Sequence, residues 1–162
     1  MTHVTRLYGA PALALAACAL LAAACGTREP APDEASASAP QLAGTWRFVE
    51  FESSSDEIGT IRPDDPVKYT MTLEAGGRVT MRLDCNRATG TWAADPADGE
   101  SGGFTFGPLA MTRAQCPQPS LDTRIARDAA YVRTYVLRGN RLYLNLMADG
   151  GNYVWERAGG PD

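Results

Sequence analysis

Tyr69-Thr70-Met71-Thr72-Leu73-Glu74-Ala75-Gly76-Gly77-Arg78-Val79-Thr80-Met81-Arg82-Leu83-Asp84-Cys85 decides the fold class. Tyr69, Met71 and Leu73 alternate with threonines, and Val79, Met81, Leu83 and Cys85 alternate with Thr80, Arg82 and Asp84. Side chains of a strand point to opposite faces at a period of two, so both runs predict half-buried strands. Glu74-Ala75-Gly76-Gly77 between them is turn chemistry, and the pair reads as a β-hairpin with one apolar face.

The same period extends outward. Upstream, Trp46 to Phe51 predicts a strand opened by Gly44. Downstream, Thr89 to Ala93 predicts a short strand around Trp92, Asp95 to Gly103 a polar, glycine-rich loop, and Phe104 to Phe106 a further short strand. Val132 to Leu137, Arg141 to Met147 and Tyr153 to Arg157 predict three more, joined through Arg138-Gly139-Asn140 and Asp149-Gly150-Gly151-Asn152. One segment departs from the period. After Pro119, Ser120 is a capping residue, and Leu121, Ile125, Ala129 and Val132 recur at helical spacing. Arg124, Arg127 and Asp128 fall mostly off that stripe, so Leu121 to Ala130 predicts one amphipathic helix. The fold class is therefore a β-rich α+β domain. Its antiparallel sheet curls into a barrel or half-barrel, with one helix packed on it before the last three strands.

The 162 residues suit one domain. Fifteen basic residues against 19 acidic give a net charge of −4, which argues against a nucleic-acid partner. At the N-terminus, Arg6 precedes a nearly continuous apolar run, Leu7 to Ala24, ending in small residues before Cys25. That pattern reads as an export signal, and it resembles a bacterial lipoprotein leader, in which a cysteine after small residues is lipidated. Cys18 is a rival acceptor, but cleavage there leaves six apolar residues on the mature chain, whereas Cys25 is followed at once by Gly26-Thr27-Arg28-Glu29-Pro30. An uncleaved membrane anchor is a further alternative, for which a run rich in alanine is a marginal span. The expected organisation is a signal peptide over 1–24, lipidation at Cys25, a proline-containing flexible linker over 25–40, the domain over 41–157 and a frayed tail over 158–162. The localisation this implies is the cell envelope, facing the periplasm from the outer membrane, with the lipid anchor as the membrane contact. A monomer is expected, and an envelope protein partner is left open.

Removing the leader leaves Cys85 and Cys116, an even pair in an exported domain, for which a disulfide is the expected state. A metal site needs more cysteine or histidine ligands, and a redox dithiol needs the C-x-x-C spacing that this pair lacks. Closing a loop of this length is worth roughly 3–4 kcal/mol in the chain-entropy model.

Two motifs flank those cysteines. Asp84-Cys85-Asn86-Arg87-Ala88-Thr89-Gly90 resembles the C-N-R-x-x-G element of the META domain family, that of the heat-shock lipoprotein HslJ. Gly107-Pro108-Leu109-Ala110-Met111-Thr112-Arg113-Ala114-Gln115-Cys116 resembles the family's second element, L-A-x-T-R-x-x-C. The opening Leu42-Ala43-Gly44-Thr45-Trp46 and the closing Leu142-Tyr143-Leu144 and Tyr153-Val154-Trp155-Glu156 fit as well. One departure is Asp95 to Gly103, which looks longer than the family's turn. The resemblance implies a compact β-rich fold with one helix, an envelope location, a link to stress tolerance and no established catalytic residues. Asn86 suits a left-handed turn position and Gly90 would let that turn close. Asn86, Arg87, Gly90, Leu109, Ala110, Thr112 and Arg113 are accordingly read as scaffold.

A search for chemistry yields no catalytic residues, no metal site and no cofactor. The only histidine is His3, inside the leader, so no Ser-His-Asp or Cys-His system can form in the mature chain. Lys68 is the only lysine and has no nearby nucleophile motif. Asp64-Asp65 before Pro66 reads as a turn, and Asp95, Asp98 and Glu100 as a solvated loop lacking an EF-hand spacing. Asp84 is expected to pair with Arg82 and Arg87. Arg113, Arg124, Arg127, Arg133, Arg138 and Arg141 make the C-terminal half net basic, by default a solvated surface. The expected function is a non-enzymatic binding or stress-protective module of the envelope. The alternative is a lipocalin-like barrel, suggested by Gly44-Thr45-Trp46, that inhibits an exported enzyme or carries a small hydrophobic ligand. A helix before rather than after the last strands favours the first reading.

Overall fold

The computed structural model describes residues 39–159. The expected leader, Cys25, the linker as far as residue 38 and the last tail residues, 160–162, lie outside the described residues. Ten strands follow in order: β1 Gly44–Glu52, β2 Thr60–Ile61, β3 Tyr69–Leu73, β4 Arg78–Leu83, β5 Asn86–Pro96, β6 Ser101–Phe106, β7 Ala110–Met111, β8 Val132–Arg138, β9 Arg141–Leu146 and β10 Asn152–Arg157. All pairings are antiparallel. Eight of the strands run β1-β3-β4-β5-β6-β8-β9-β10, and β10 pairs back onto β1, so the sheet closes as a barrel rather than a half-barrel. The two-residue strands β2 and β7 pair with β1 and β5 beside that ring.

Alternation fills the interior. Tyr69, Met71 and Leu73 of β3 and Val79, Met81 and Leu83 of β4 are all buried, while the threonines and arginines between them are outside. In β1 a bulge between Phe48 and Glu50 shifts the period, so that both Phe48 and Phe51 are buried. Trp46, Trp92, Trp155, Tyr69, Tyr135, Phe48, Phe51 and Phe104 are fully buried, each contributing roughly 1.5–3 kcal/mol. The void bounded by Met81, Phe106, Ile125, Ala129, Val132, Leu144, Tyr153 and Trp155 is only about 10 Å³. A carrier needs a cavity of about 300 Å³ or more, so the filled interior overturns the carrier reading of a lipocalin-like barrel.

Both mouths are closed. Helix α1, Asp122–Asp128, followed by the 3-10 turn Ala129–Tyr131, crosses one of them. Its Ile125 and Ala129 are buried, Leu121 N–H donates to the Tyr69 hydroxyl at 3.1 Å, and the Arg124 guanidinium lies 4.5 Å over the Phe51 ring. At the other mouth a 3-10 turn, Pro40–Leu42, inserts Leu42, which is fully buried.

Several expectations need correcting. The helix starts at Asp122, with Leu121 at its cap position. Ser120 stands one residue before the cap, where its hydroxyl donates to the Asp122 carboxylate at 3.0 Å and accepts the Asp122 N–H at 3.4 Å. Asp128, expected off the buried stripe, is buried and accepts the Tyr153 hydroxyl at 2.7 Å. Burial first, and then that bond to Asp128, push the Tyr153 phenol well above its usual range. The loop expected over Asp95 to Gly103 is mostly strand: Asp95 pairs with Gly103 and Pro96 with Gly102, leaving a tight turn held by the Asp98 side chain. Likewise β5 is eleven residues long, not a short strand around Trp92.

Candidate functional site

Both motifs meet at the helix-side mouth. Strand β4 ends at Leu83, and the left-handed position of the following turn falls to Asp84, with φ 56°, rather than to Asn86. Asp84 makes no ion pair with Arg82 or Arg87. Only the Arg82 Nε–H reaches it, at its backbone carbonyl, 3.4 Å away. Cys85 is exposed in that turn and does not continue the inward series of β4. It is bonded to the buried Cys116, with α-carbons 5.6 Å apart.

Asn86 opens β5 with its side chain inside, 1% exposed. Its Nδ2 donates to the Ala114 carbonyl at 2.8 Å and to Asp122 Oδ2 at 2.8 Å. Its Oδ1 accepts the Thr112 hydroxyl at 2.8 Å and the Ala114 N–H at 2.9 Å. One amide thus joins the first motif, the second motif and the helix. Strand pairing adds to this: Arg87 N–H donates to Thr112 Oγ1 at 3.0 Å, and Thr112 N–H donates to the Arg87 carbonyl at 3.0 Å.

Gly90 does not close a turn. It sits within β5, where the second motif crosses so closely that a Cβ would meet the Pro108 carbonyl oxygen at 2.6 Å and Leu109 Cδ2 at 2.8 Å. Glycine is needed there for close approach. Leu109 packs partly buried against the core, Ala110 is exposed on β7, and Arg113 is exposed at the rim. A cleft of about 530 Å³ lies between this crossing segment and α1, with Asn86 and Asp122 among its walls and Arg113 and Arg127 at its edge.

Sequence reasoning missed Asp122. It is 7% exposed, and burial pushes its carboxyl up. The Thr123 backbone N–H, the Asn86 amide and the Ser120 hydroxyl outweigh that and hold it below the ordinary carboxylate range. A carboxyl depressed by the fold stabilises it fully above the unfolded value, near pH 4, and that stabilisation is lost as pH falls through the lower folded value. The urea midpoint should therefore drop more steeply on acidification from pH 5 to pH 2 in the wild type than in Asp122→Asn. Parallel pH profiles would contradict this role.

The disulfide gives a separate expectation. Reduction should lower stability by about 2–4 kcal/mol while the far-ultraviolet circular dichroism stays the same, because the barrel hydrogen bonds do not involve it. Urea titrations with and without reductant check this, and coincident curves would refute it.

Arg124 and Arg127 flank Asp128, Arg138 lies over the Tyr143 ring, 5.6 Å from its centroid, and Arg113 shares the cleft with Arg127. Lys68 pairs with Asp64 at 3.4 Å, and Asp65 accepts the Val67 N–H at 3.1 Å to start a 3-10 turn. Among the described residues no group of three histidine, cysteine, aspartate or glutamate side chains has the arrangement to hold a metal ion.

A family model described as the META domain matches residues 40–158. Among solved structures, the NMR structure of a protein from Burkholderia xenovorans is similar at a TM-score of 0.58 and 20% identity, covering 82% of this chain and 93% of that one. The crystal structure of a DUF4847 family protein from Bacteroides vulgatus is similar at a TM-score of 0.52 and 16% identity, covering 74% and 95%. At such identities the likeness speaks for the fold alone. No curated protein matches the chain in sequence.

Proposed function

The chain belongs to the META domain family, and from that premise we propose that it is a non-catalytic binding module tethered to the bacterial envelope through a lipid on Cys25. The observation that carries the non-catalytic part is how the motif residues are used. Asn86 spends both ends of its amide on Ala114, Asp122 and Thr112, and the Asp122 carboxylate is saturated by Asn86, Ser120 and Thr123. A general acid needs a proton to give, which a carboxylate held ionised lacks, and a general base needs a free lone pair and a pKa near the working pH, which the internal donors and the lowered carboxyl deny it. With the interior filled, recognition falls to the outer surface of the barrel. A stress-protective role then amounts to holding an envelope component there.

The tether rests on the apolar leader ending at Cys25 and the proline-containing linker after it. Expression of Cys25→Ser with membrane fractionation tests it. The wild type is expected in the membrane fraction and the variant in an unprocessed or soluble form. A variant that stays in the membrane with unchanged size and processing would refute lipidation at Cys25.

A further inference from the structure

We propose that the outer face of β3, β4, β5 and β7 is a binding groove for a sugar chain bearing carboxylate or phosphate groups, with Arg82 and Arg87 as its anion-binding pair. This rests on the binding-module reading above and assigns it a place and a ligand chemistry. Strand register builds the groove. Thr72 pairs with Thr80, Thr80 with Thr89 and Thr89 with Ala110, which sets one row across four strands. Beside it runs a second row: Thr70 pairs with Arg82, Arg82 with Arg87, and Arg87 meets Thr112 through reciprocal bonds. These residues, together with Met81, Ala88 and Met111, line a space of about 770 Å³ on the barrel's outer surface.

The charge is the second observation. Arg82 and Arg87 face each other directly across an antiparallel pair, where β-carbons lie about 4.5–5.5 Å apart and like charges repel. Both are exposed, and the five ion pairs among the described residues belong to Arg47, Arg62, Lys68, Arg124 and Arg127. The expected counter-charge, Asp84, does not serve them. Two unneutralised guanidinium groups side by side, on a chain that is acidic as a whole, make a fork matched to an oxyanion. The hydroxyls of Thr70, Thr80 and Thr89 supply neutral donors and acceptors at strand spacing, suited to a hydroxyl-rich chain, while those of Thr72 and Thr112 are taken up by Thr45 and Asn86. The space far exceeds a single oxyanion, which favours a polymer over a free ion.

The test uses the full mature chain in neutral detergent, immobilised on a sensor and exposed to oligogalacturonate, neutral maltohexaose, inorganic phosphate and phosphatidylglycerol vesicles. Oligogalacturonate is expected to bind, to weaken as salt rises and to lose about tenfold in affinity for each of Arg82→Gln and Arg87→Gln. Thr80→Val with Thr89→Val should weaken it further without moving the urea midpoint. Equal binding of maltohexaose would overturn the anionic requirement. Competition by phosphate at the same molar concentration would reduce the site to a free-anion site, and binding of vesicles alone would make it a lipid contact. Either result would overturn the sugar-chain proposal. Unchanged oligogalacturonate affinity in the double arginine variant would overturn the groove while leaving a binding module with its site elsewhere. If no probe binds, the proposal falls, and the Cys25 fractionation still decides the tether independently.

Discussion

Asn86→Ala should cost the domain about 3–5 kcal/mol, read as a fall in the urea midpoint at an unchanged slope. The size follows from what the amide leaves behind. Alanine abandons the Ala114 N–H, the Ala114 carbonyl and the Thr112 hydroxyl, and above all removes a direct donor to the buried Asp122 carboxylate. The Ala114 and Thr112 groups are only part-buried, so water recovers part of their loss, and most of the cost falls on the buried Asp122 carboxylate, since breaking a buried charged pair costs about 3–5 kcal/mol. A double-mutant cycle with Asp122→Asn isolates the pair. A coupling near zero, or a single-variant loss under about 1 kcal/mol, would mean that Asn86 is not the hub the geometry makes it.

The second large effect belongs to Trp46. Its ring is fully buried, its indole N–H donates to the Leu42 carbonyl at 2.9 Å, and the Arg157 guanidinium lies 4.3 Å over its face. Arg157 in turn donates to the carbonyls of Ala43 at 3.0 Å and Gln41 at 2.6 Å. Gly44, with φ 136°, leaves room for that arginine, since a Cβ there would approach Arg157 Nη1 to 2.5 Å. Trp46→Ala is expected to cost about 3–5 kcal/mol by opening a cavity where the last strand meets the first. Trp46→Phe keeps the ring under the guanidinium and should recover more than half of that loss. Equal losses in the two variants would show that the indole N–H, not ring packing, carries the site.

These residues also mark where the sequence was readable. The β3–β4 hairpin is legible because every inward position carries a large apolar side chain and every outward one a polar group. β5 follows the same rule but hides it. Its inward positions are Asn86, Ala88, Gly90, Trp92 and Ala94, of which only Trp92 signals a core. Small residues there make room for the crossing second motif and for neighbouring aromatics, a reason that lies outside the strand. The Asp95 to Gly103 stretch misleads similarly, since Pro96, Gly102 and Gly103 carry loop composition while pairing as strand.

The buried carboxylates were illegible for a different reason. Asp122 and Asp128 look like solvent-facing helix residues because their partners, Asn86 and Tyr153, are remote in sequence. Periodicity reads only local burial, and a charge becomes tolerable inside through donors that the fold delivers from elsewhere. Cys85 errs in the opposite direction: it continues the alternation of β4 by count, but the strand has already ended at Leu83 and the turn rotates it outward.

The seam between β1 and β10 sets the pace at which this domain can form. Trp46 pairs with Arg157 and Glu52 with Asn152, so the first strand of the ring has no second full-length neighbour until the last strand arrives. Contacts spanning nearly the whole domain carry a large loop-closure cost before they return any stability, which places folding in the millisecond-to-second range typical of β-barrels. An incomplete chain has open strand edges and an uncovered core, so it gains little by collapsing early. Under the export proposed above, such a ring would keep the nascent form transport-competent without a separate device to delay its folding.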